Sequence, residues 1–491
     1  MGNAKLTEEI ECAWPARFGS WAERAPDCRA LCRTVRQVPW RLRPPTVADV
    51  REVIREATMK GTALWPVSRG CNWGYGSHLP ARDGTVIVDL SRLNAIGDLD
   101  RPSLSVRIEP GVSQGALYEY LRKNAPDLSF NVTGAGLDTS VLGNALERGI
   151  GYNGEKDRDV YALEVLLPDG TSVGPVERLH SKSRSRPAGL STDDLFFQSN
   201  FGVVVGARIR LRIRQEAEDA IVIQGPFDRV IATLKSAYEQ QLIVNPTHVA
   251  EPGRAHRIGY GLLRMLWKRI PTAEEVSRCF PEQDSYTGIV AIYGRRRVVN
   301  AAWREMRRLA CRGVSLRRGN VGTLAAASTW LGRLGFRNQA ARMAALRPIL
   351  GLTLGEPSDA GLTSLDGYEG GDPDHASAGA IYGNAVSAIG PELARKAEAI
   401  VKGHWANSAF TWIITDSRCM ITIYTLHFGD AESASVHEAN RKIVDDFRSA
   451  GYPQYRLDVD TRHASGAETV VRRIKAAFDP IGVIAPGRYE P

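Results

Sequence analysis

Residues 65–77 read WPVSRGCNWGYGS. Gly70, Gly74, Gly76 and Asn72 crowd into this stretch, directly behind a short apolar strand pattern at 63–67. Glycine admits positive φ and lets backbone come close to a ligand. Successive backbone N–H groups in such a turn form an anion-binding nest. The stretch therefore reads as a pyrophosphate cradle. No Gly-Lys-Ser/Thr follows it, so it is not a Walker loop, and its spacing is not Gly-x-Gly-x-x-Gly. An ordinary glycine turn would look the same in isolation, so the reading needs a second observation.

That observation lies at 134–152, GAGLDTSVLGNALERGIGY. Gly134, Ala135, Gly136, Thr139, Ser140, Gly143, Gly149 and Gly151 are small, and 141–148 has the pattern of a short helix. A helix beginning near Thr139-Ser140 would offer unpaired N–H groups to a phosphate. Two such cradles, with strands and a helix between them, point to a large dinucleotide.

The rest of the chain bounds the class. At 491 residues it exceeds one ordinary core, and two or more domains are expected. Hydrophobic residues at 43% and charged residues at 24% fit a soluble globular protein. The net charge of +8 comes from scattered Arg residues, with Arg295, Arg296 and Arg297 the densest run. No nucleic-acid motif accompanies it, so no nucleic-acid partner is expected. No apolar run approaches the roughly 20 residues of a membrane span. The first residues, MGNAKLTEEIECAW, lack a secretory apolar core. The expectation is a cytoplasmic protein without a membrane partner. Seven cysteines, an odd and scattered set, fit a reducing compartment. Cys28 and Cys32 read as buried thiols, and no spacing suggests a metal site.

In chain order, 7–35 reads as helix. Thr46 is positioned as the N-cap of the next helix, whose Val47, Val50, Val53 and Ile54 share a face. Strands follow at 86–90 and 104–108, a helix at 114–123, a strand at 160–167 and a turn at 168–170. Residues 181–186, SKSRSR, read as a basic, mobile loop, and 202–213 as a strong strand. From about 216 the alternation of strands and helices suggests a second unit with an antiparallel sheet. Residues 312–378 read as less regular.

Four blocks together resemble the vanillyl-alcohol oxidase / p-cresol methylhydroxylase family of FAD-linked oxidases. They are PVSRGCNWGYGS (66–77), VIVDLSRLN with VRIEPGVSQGALYEYL (86–94 and 106–121), SVLGNALERGIGY (140–152), and GYPQYR (451–456) with FDPIGVIAPGR (478–488). The resemblance implies an α+β chain. A two-part FAD-binding domain (1–215 and 450–491) would carry an inserted α+β cap (216–449) with an antiparallel sheet. It implies that Pro66, Val67, Ser68, Arg69, Gly70, Cys71, Asn72, Gly74, Tyr75, Gly76 and Ser77 form one FAD loop. Gly134, Gly136, Thr139, Ser140, Gly143, Asn144, Arg148, Gly149, Gly151 and Tyr152 form the other. Gly202, Val203 and Val204 lie toward the adenine, and Arg456 and Arg488 also contact FAD.

By the same resemblance, Tyr75, Tyr455 and Arg456 bind a phenolic oxygen as phenolate. A cation and two phenolic O–H donors lower its pKa. The phenolate can then release a hydride from the para benzylic carbon to flavin N5, leaving a quinone methide. Relatives often link the flavin covalently to a cap His or Tyr. Here Ala380 lies nearest the His position, and Cys71, Tyr368 and His375 are the alternatives to a noncovalent FAD, which is expected. Asp138 is displaced from the place of the relatives' acidic residue near N5. His427, His404 and His463 are candidate bases.

The acceptor is O₂ or an electron-carrier protein, and a homodimer fits the resemblance. Two other readings stay open on the residues: a flavin oxidase of the same fold acting on a non-phenolic alcohol or hydroxy acid, and a non-redox binding protein on a degenerate FAD fold.

Overall fold

The computed structural model describes residue 14 and residues 17–25, 28–174, 191–281, 284–461 and 466–490. The architecture is α+β, built on three larger sheets, with three two-stranded pairs besides. The first contains β1 (Ala22–Arg24), β2 (Trp40–Leu42), β3 (Leu64–Val67) and β4 (Val86–Asp89), in the order β1-β2-β4-β3. Helix α1 (Val47–Lys60) connects β2 to β3. Thr46 and Asp49 form a capping box at its start, and Gly61 ends it in the left-handed conformation. Its Val50, Val53 and Ile54 are buried, as the 3.6-residue period requires.

The second sheet is antiparallel: β5 (Ile96–Asp100), β6 (Ser105–Ile108), β7 (Val160–Leu166), β8 (Ser172–Val173) and β9 (Val203–Arg210), in the order β8-β7-β9-β6-β5. Helices α2 (Gln114–Asn124) and α3 (Val141–Leu146) belong to this half. The chain end returns to the first sheet, where Ile484 bridges Leu64 in parallel and Ala485 donates its N–H to the Leu64 carbonyl at 2.7 Å.

The third sheet has seven antiparallel strands: β10 (Ala217–Gly225), β11 (Thr247–Ala250), β12 (Tyr286–Gly294), β13 (Ser315–Gly319), β14 (Gly379–Ala388), β15 (Ser408–Ile414) and β16 (Cys419–Phe428). Their order is β13-β10-β12-β11-β15-β16-β14. Its two faces differ by strand parity. Ile221, Ile223, Val249, Val290 and Trp412 are buried in the core shared with helices Phe227–Glu239 and Pro391–His404. The alternate residues Val222, His248, Ile289 and Ile413 line a cavity on the other face. Beyond it lie α4 (Pro252–Trp267) and the antiparallel pair α5 (Val321–Arg333) and α6 (Arg337–Thr353).

Two sequence expectations change. Within 7–35, residues 22–24, 28–29 and 35–36 are strands rather than helix, because they pair with distant or neighbouring strands. Residues 312–378 contain the edge strand β13 and the helices α5 and α6; α6 packs on α4 and α5, and Leu324 of α5 with Met343, Leu346 and Leu350 of α6 lines the cavity. Residues 7–13 and the basic loop 181–186 lie outside the described residues.

Candidate active site

The first glycine stretch leaves β3 and turns sharply. Gly70 has φ +74°, and a Cβ there would lie 2.9 Å from His78 Cβ. Gly76 has φ +107°, and a Cβ there would lie 2.5 Å from Val459. Glycine is therefore required both by conformation and by space. The second stretch packs α3 against the first. Ser140 caps α3 by accepting from Gly143 N–H at 2.9 Å, and a Cβ on Gly143 would lie 2.6 Å from Ser68 Oγ. The two cradles therefore touch at Gly143 and Ser68, where no larger side chain fits.

Between them runs a cavity of about 160 Å³. Pro66, Val67, Ser68, Arg69, Gly70, Cys71, Asn72, Ser77, Thr139, Ser140, Gly143, Asn144, Gly202, Val203, Val204 and Arg488 all line it. A second cavity, of about 570 Å³, shares Cys71, Asn72 and Asn144 with the first and extends under the third sheet. Gly134, Gly149, Tyr75, Tyr152 and Arg456 line this one. Gly74, Gly76, Gly136, Arg148 and Gly151 line neither. Gly74 makes room for the Tyr382 ring, Gly136 for Leu362 and Gly151 for Asn131, while Arg148 faces Asp157. The smallness of these glycines serves packing behind the cradle.

The cavities fit a large, polar, partly aromatic group. Asn144 Oδ1, Glu147 Oε2 and Gln198 Nε2 beside the smaller cavity are buried without hydrogen-bond partners. So are Thr133 Oγ1, His248 Nε2 and Arg456 Nε beside the larger one. Buried polar atoms of folded proteins are normally paired, so unpaired ones lining a cavity mark where a ligand supplies the partners. The narrow cradle suits the diphosphate and ribityl chain of FAD, and the wider cavity suits the flavin ring with room to spare.

The predicted phenolate triad is only partly assembled. Tyr75 is buried, with the Arg456 guanidinium 4.1 Å from its ring centroid and Tyr382 tilted against it at 5.8 Å. Burial raises the Tyr75 pKa, with Arg456 opposing, so the phenol stays protonated. Arg456 donates to Asn72 Oδ1 at 2.5 Å and lies 3.8 Å from Glu147. Tyr455 lines neither cavity, and its hydroxyl is buried without a partner on the side of Glu155 and Asp157. The cause is Asn384, 1% exposed, whose Oδ1 accepts from the Tyr455 and Arg456 N–H groups at 2.6 and 3.2 Å. That clamp sets the 455–456 backbone so that Arg456 enters the cavity and Tyr455 leaves it.

The third sheet contributes groups that no motif flagged. Arg254, in the first turns of α4, lines the larger cavity and donates to Thr425 Oγ1 at 2.9 Å and Ser364 Oγ at 3.4 Å. Those partners are neutral, so the guanidinium charge faces the cavity uncompensated by them. Tyr382 is half-buried at this wall, and desolvation raises its pKa. Tyr152 is pushed up to about 12 by burial, with Arg254 opposing, and its ring stacks on His248 at 4.3 Å. Burial lowers His248 to about 4, so it is neutral at pH 7. Apart from Tyr152, which the second glycine stretch already includes, these residues are separated in sequence and lie on strands of the third sheet or at a helix start, so no local pattern announces them.

Glu147 was also missed. It accepts from Arg488 at 2.8 Å and from the Tyr489 hydroxyl. Burial pushes its pKa up, but Arg488 and Arg456 outweigh this and hold the carboxylate below its usual range. It joins the second cradle to the returning C-terminal segment.

The alternative flavin anchors are distributed differently. Cys71 stands where the two cavities meet, and burial pushes its thiol up to about 12. Tyr368 and His375 line neither cavity; His375 is 85% exposed and faces Asp372. Asp138 is 82% exposed and paired with Arg69, away from the flavin-sized space. His427 is buried beside Asp366 and His404 is bound to Asp446, both outside the cavities. His463 lies outside the described residues.

A family model described as FAD binding domain matches residues 40–174, which hold both cradles. The solved structure of p-cresol methylhydroxylase with substrate bound superposes with a TM-score of 0.81, at 19% identity, over 99% of this chain and 97% of that one. The chain carries an FAD-binding domain and has the fold of p-cresol methylhydroxylase. Its sequence is 30% identical to the flavoprotein subunit of 4-cresol dehydrogenase [hydroxylating] from Pseudomonas putida, over 32% of each chain. It is 28% identical to 1'-carboxy-chondrochloren decarboxylase from Chondromyces crocatus, over 94% of this chain and 92% of that one. Among the described residues no helix is long and apolar enough to cross a membrane.

Proposed function

We propose that the protein oxidises a para-substituted phenol or related aromatic compound, held in the larger cavity against the flavin. One observation carries this reading: Tyr75, Tyr152, Tyr382, Arg254 and Arg456 gather on the wall of a single, largely apolar cavity that opens into the FAD cradle. Apolar walls take the aromatic ring, and the few polar groups orient it. Tyr75 and Arg456 engage each other, so the phenolic oxygen is assigned to Arg254 with Tyr382 and Tyr152. Both tyrosines stay protonated and can donate, and Arg254 supplies a positive charge. Together they favour the ionised phenol. Phenolate electrons then make the para benzylic carbon a hydride donor, and a quinone methide remains. Bound FAD supplies the two-electron acceptor. His248, neutral and with Nε2 free, offers a buried proton acceptor.

A second reading is favoured by the full-length relative named a decarboxylase and by the positive charge of Arg254, whose hydrogen-bond partners at the cavity wall are neutral. If the substrate bears a carboxylate on the carbon next to the benzylic position, hydride loss again gives the quinone methide. Loss of CO₂ leaves its electron pair to form the C=C bond, and the ring returns to phenolate.

The test mixes anaerobic holoenzyme with 4-alkylphenols, with and without a β-carboxylate, while following flavin absorbance and released CO₂. Bleaching by the phenols supports oxidation, and CO₂ equal to the flavin reduced supports the second reading. Arg254→Gln should raise KM and move phenol binding to higher pH. No bleaching by any phenol, with bleaching by a non-phenolic alcohol, overturns the phenolic assignment.

A further inference from the structure

The larger cavity continues well past the aromatic wall. It follows the third sheet to its edge strand β13 and is closed over by α4, Phe280, α5 and α6. Ile258, Leu262, Phe280, Leu324, Met343 and Leu346 make this arm apolar. At about 570 Å³ the whole space exceeds what a small phenol needs beside a flavin ring.

The far end is cationic. Arg317 is opposite Val222 in the β10–β13 register, on the cavity face of the sheet, and is exposed at the edge. Arg342 reaches the same end from α6, partly buried, with its Nε shielded from solvent and without a hydrogen-bond partner. Burial and the nearby Arg317 charge lower the Arg342 pKa. Neighbouring arginines are neutralised. Arg318 is 2.6 Å from Asp219, and Arg347 is 3.9 Å from Glu356. Among the described residues neither Arg317 nor Arg342 has an acidic partner at ion-pair distance. Two neighbouring positive charges without acidic partners at the end of an apolar channel make that end attractive to an anion.

We propose that Arg317 and Arg342 form an anion subsite for the carboxylate end of an elongated substrate, whose apolar chain fills the arm and whose aromatic head lies at Arg254. The inference rests on the larger cavity being the substrate cavity, but its test needs no turnover.

The test is calorimetric titration of the FAD-loaded protein with decanoate and, in parallel, decanol. Arg317→Gln and Arg342→Gln should each weaken decanoate at least about tenfold, the usual worth of a hydrogen bond to a charged group, and leave decanol unchanged. Arg254→Gln should change decanoate much less. Unchanged decanoate affinity in both arginine variants overturns the subsite. So does a loss for decanol as large as for decanoate, or a loss confined to Arg254→Gln. Retained flavin absorbance in each variant confirms the fold. Arg-dependent decanoate binding without oxidation of any phenol would sustain the subsite and sink only the phenolic assignment.

Discussion

Replacing Glu147 by Gln keeps the shape and an acceptor oxygen for Arg488 and Tyr489, and removes only the charge. Arg488 lies at 2.8 Å and Arg456 at 3.8 Å from the carboxylate. At an effective dielectric near 20 these are gross attractions of about 6 and about 4 kcal/mol. The carboxylate side chain is 25% exposed, and taking it from water costs several kcal/mol. The net loss on substitution is then about 3 kcal/mol, within the range for breaking a buried pair. Because the folded pKa is depressed, the stabilisation is complete above the unfolded value near about 4.3 and is lost as pH falls through the folded value. Thermal melting of the holoprotein should therefore show Glu147→Gln well below wild type at pH 7, with the gap closing on acidification below about pH 4. A gap that is absent at pH 7, or constant to pH 3, refutes the assignment of the charge as the tie between cradle and C-terminal segment.

Gly143→Ala adds a methyl 2.6 Å from Ser68 Oγ. Helix propensity favours the change, but overpacking of about 1–3 kcal/mol falls on the cradle. FAD titration of the apoprotein, read by flavin fluorescence, should show affinity about ten- to a hundredfold weaker in a protein that still folds, and unchanged affinity would contradict the contact between the loops. His78 Nδ1 lies 3.4 Å from buried Asp374; burial lowers the imidazole pKa, but Asp374 outweighs it and raises it to about 9. A raised pKa stabilises fully below the unfolded value of about 6.5 and is lost as pH rises through about 9. The melting gap between wild type and Asp374→Asn should thus narrow between those limits, and a pH-independent gap would show that only the Leu31 and Ser77 hydrogen bonds to Asp374 matter.

Much of the cofactor site was legible because its chemistry is local. A backbone that must approach a diphosphate needs glycine at fixed offsets, and those offsets survive in 66–77 and 134–152 whatever surrounds them. The capped helix at Thr46, the strand behind the first loop and the antiparallel second unit follow from propensity and period in the same way. Some of the small residues nonetheless serve packing. Gly74, Gly136 and Gly151 admit side chains from elsewhere in the chain, and sequence spacing does not distinguish room for a ligand from room for a neighbour.

What the sequence determined by itself was the cradle, and through it the dinucleotide and the α+β class. Only the tertiary structure decided what faces the larger cavity. Asn384 turns Tyr455 away and Arg456 inward. Strand parity puts His248 and Val222 on the cavity face and Val249 and Ile221 in the core. The α4 start brings Arg254 to a wall it shares with Tyr152 and Tyr382. These outcomes depend on register and on contacts between residues up to hundreds of positions apart, set by the packing of the whole sheet rather than by any segment of it.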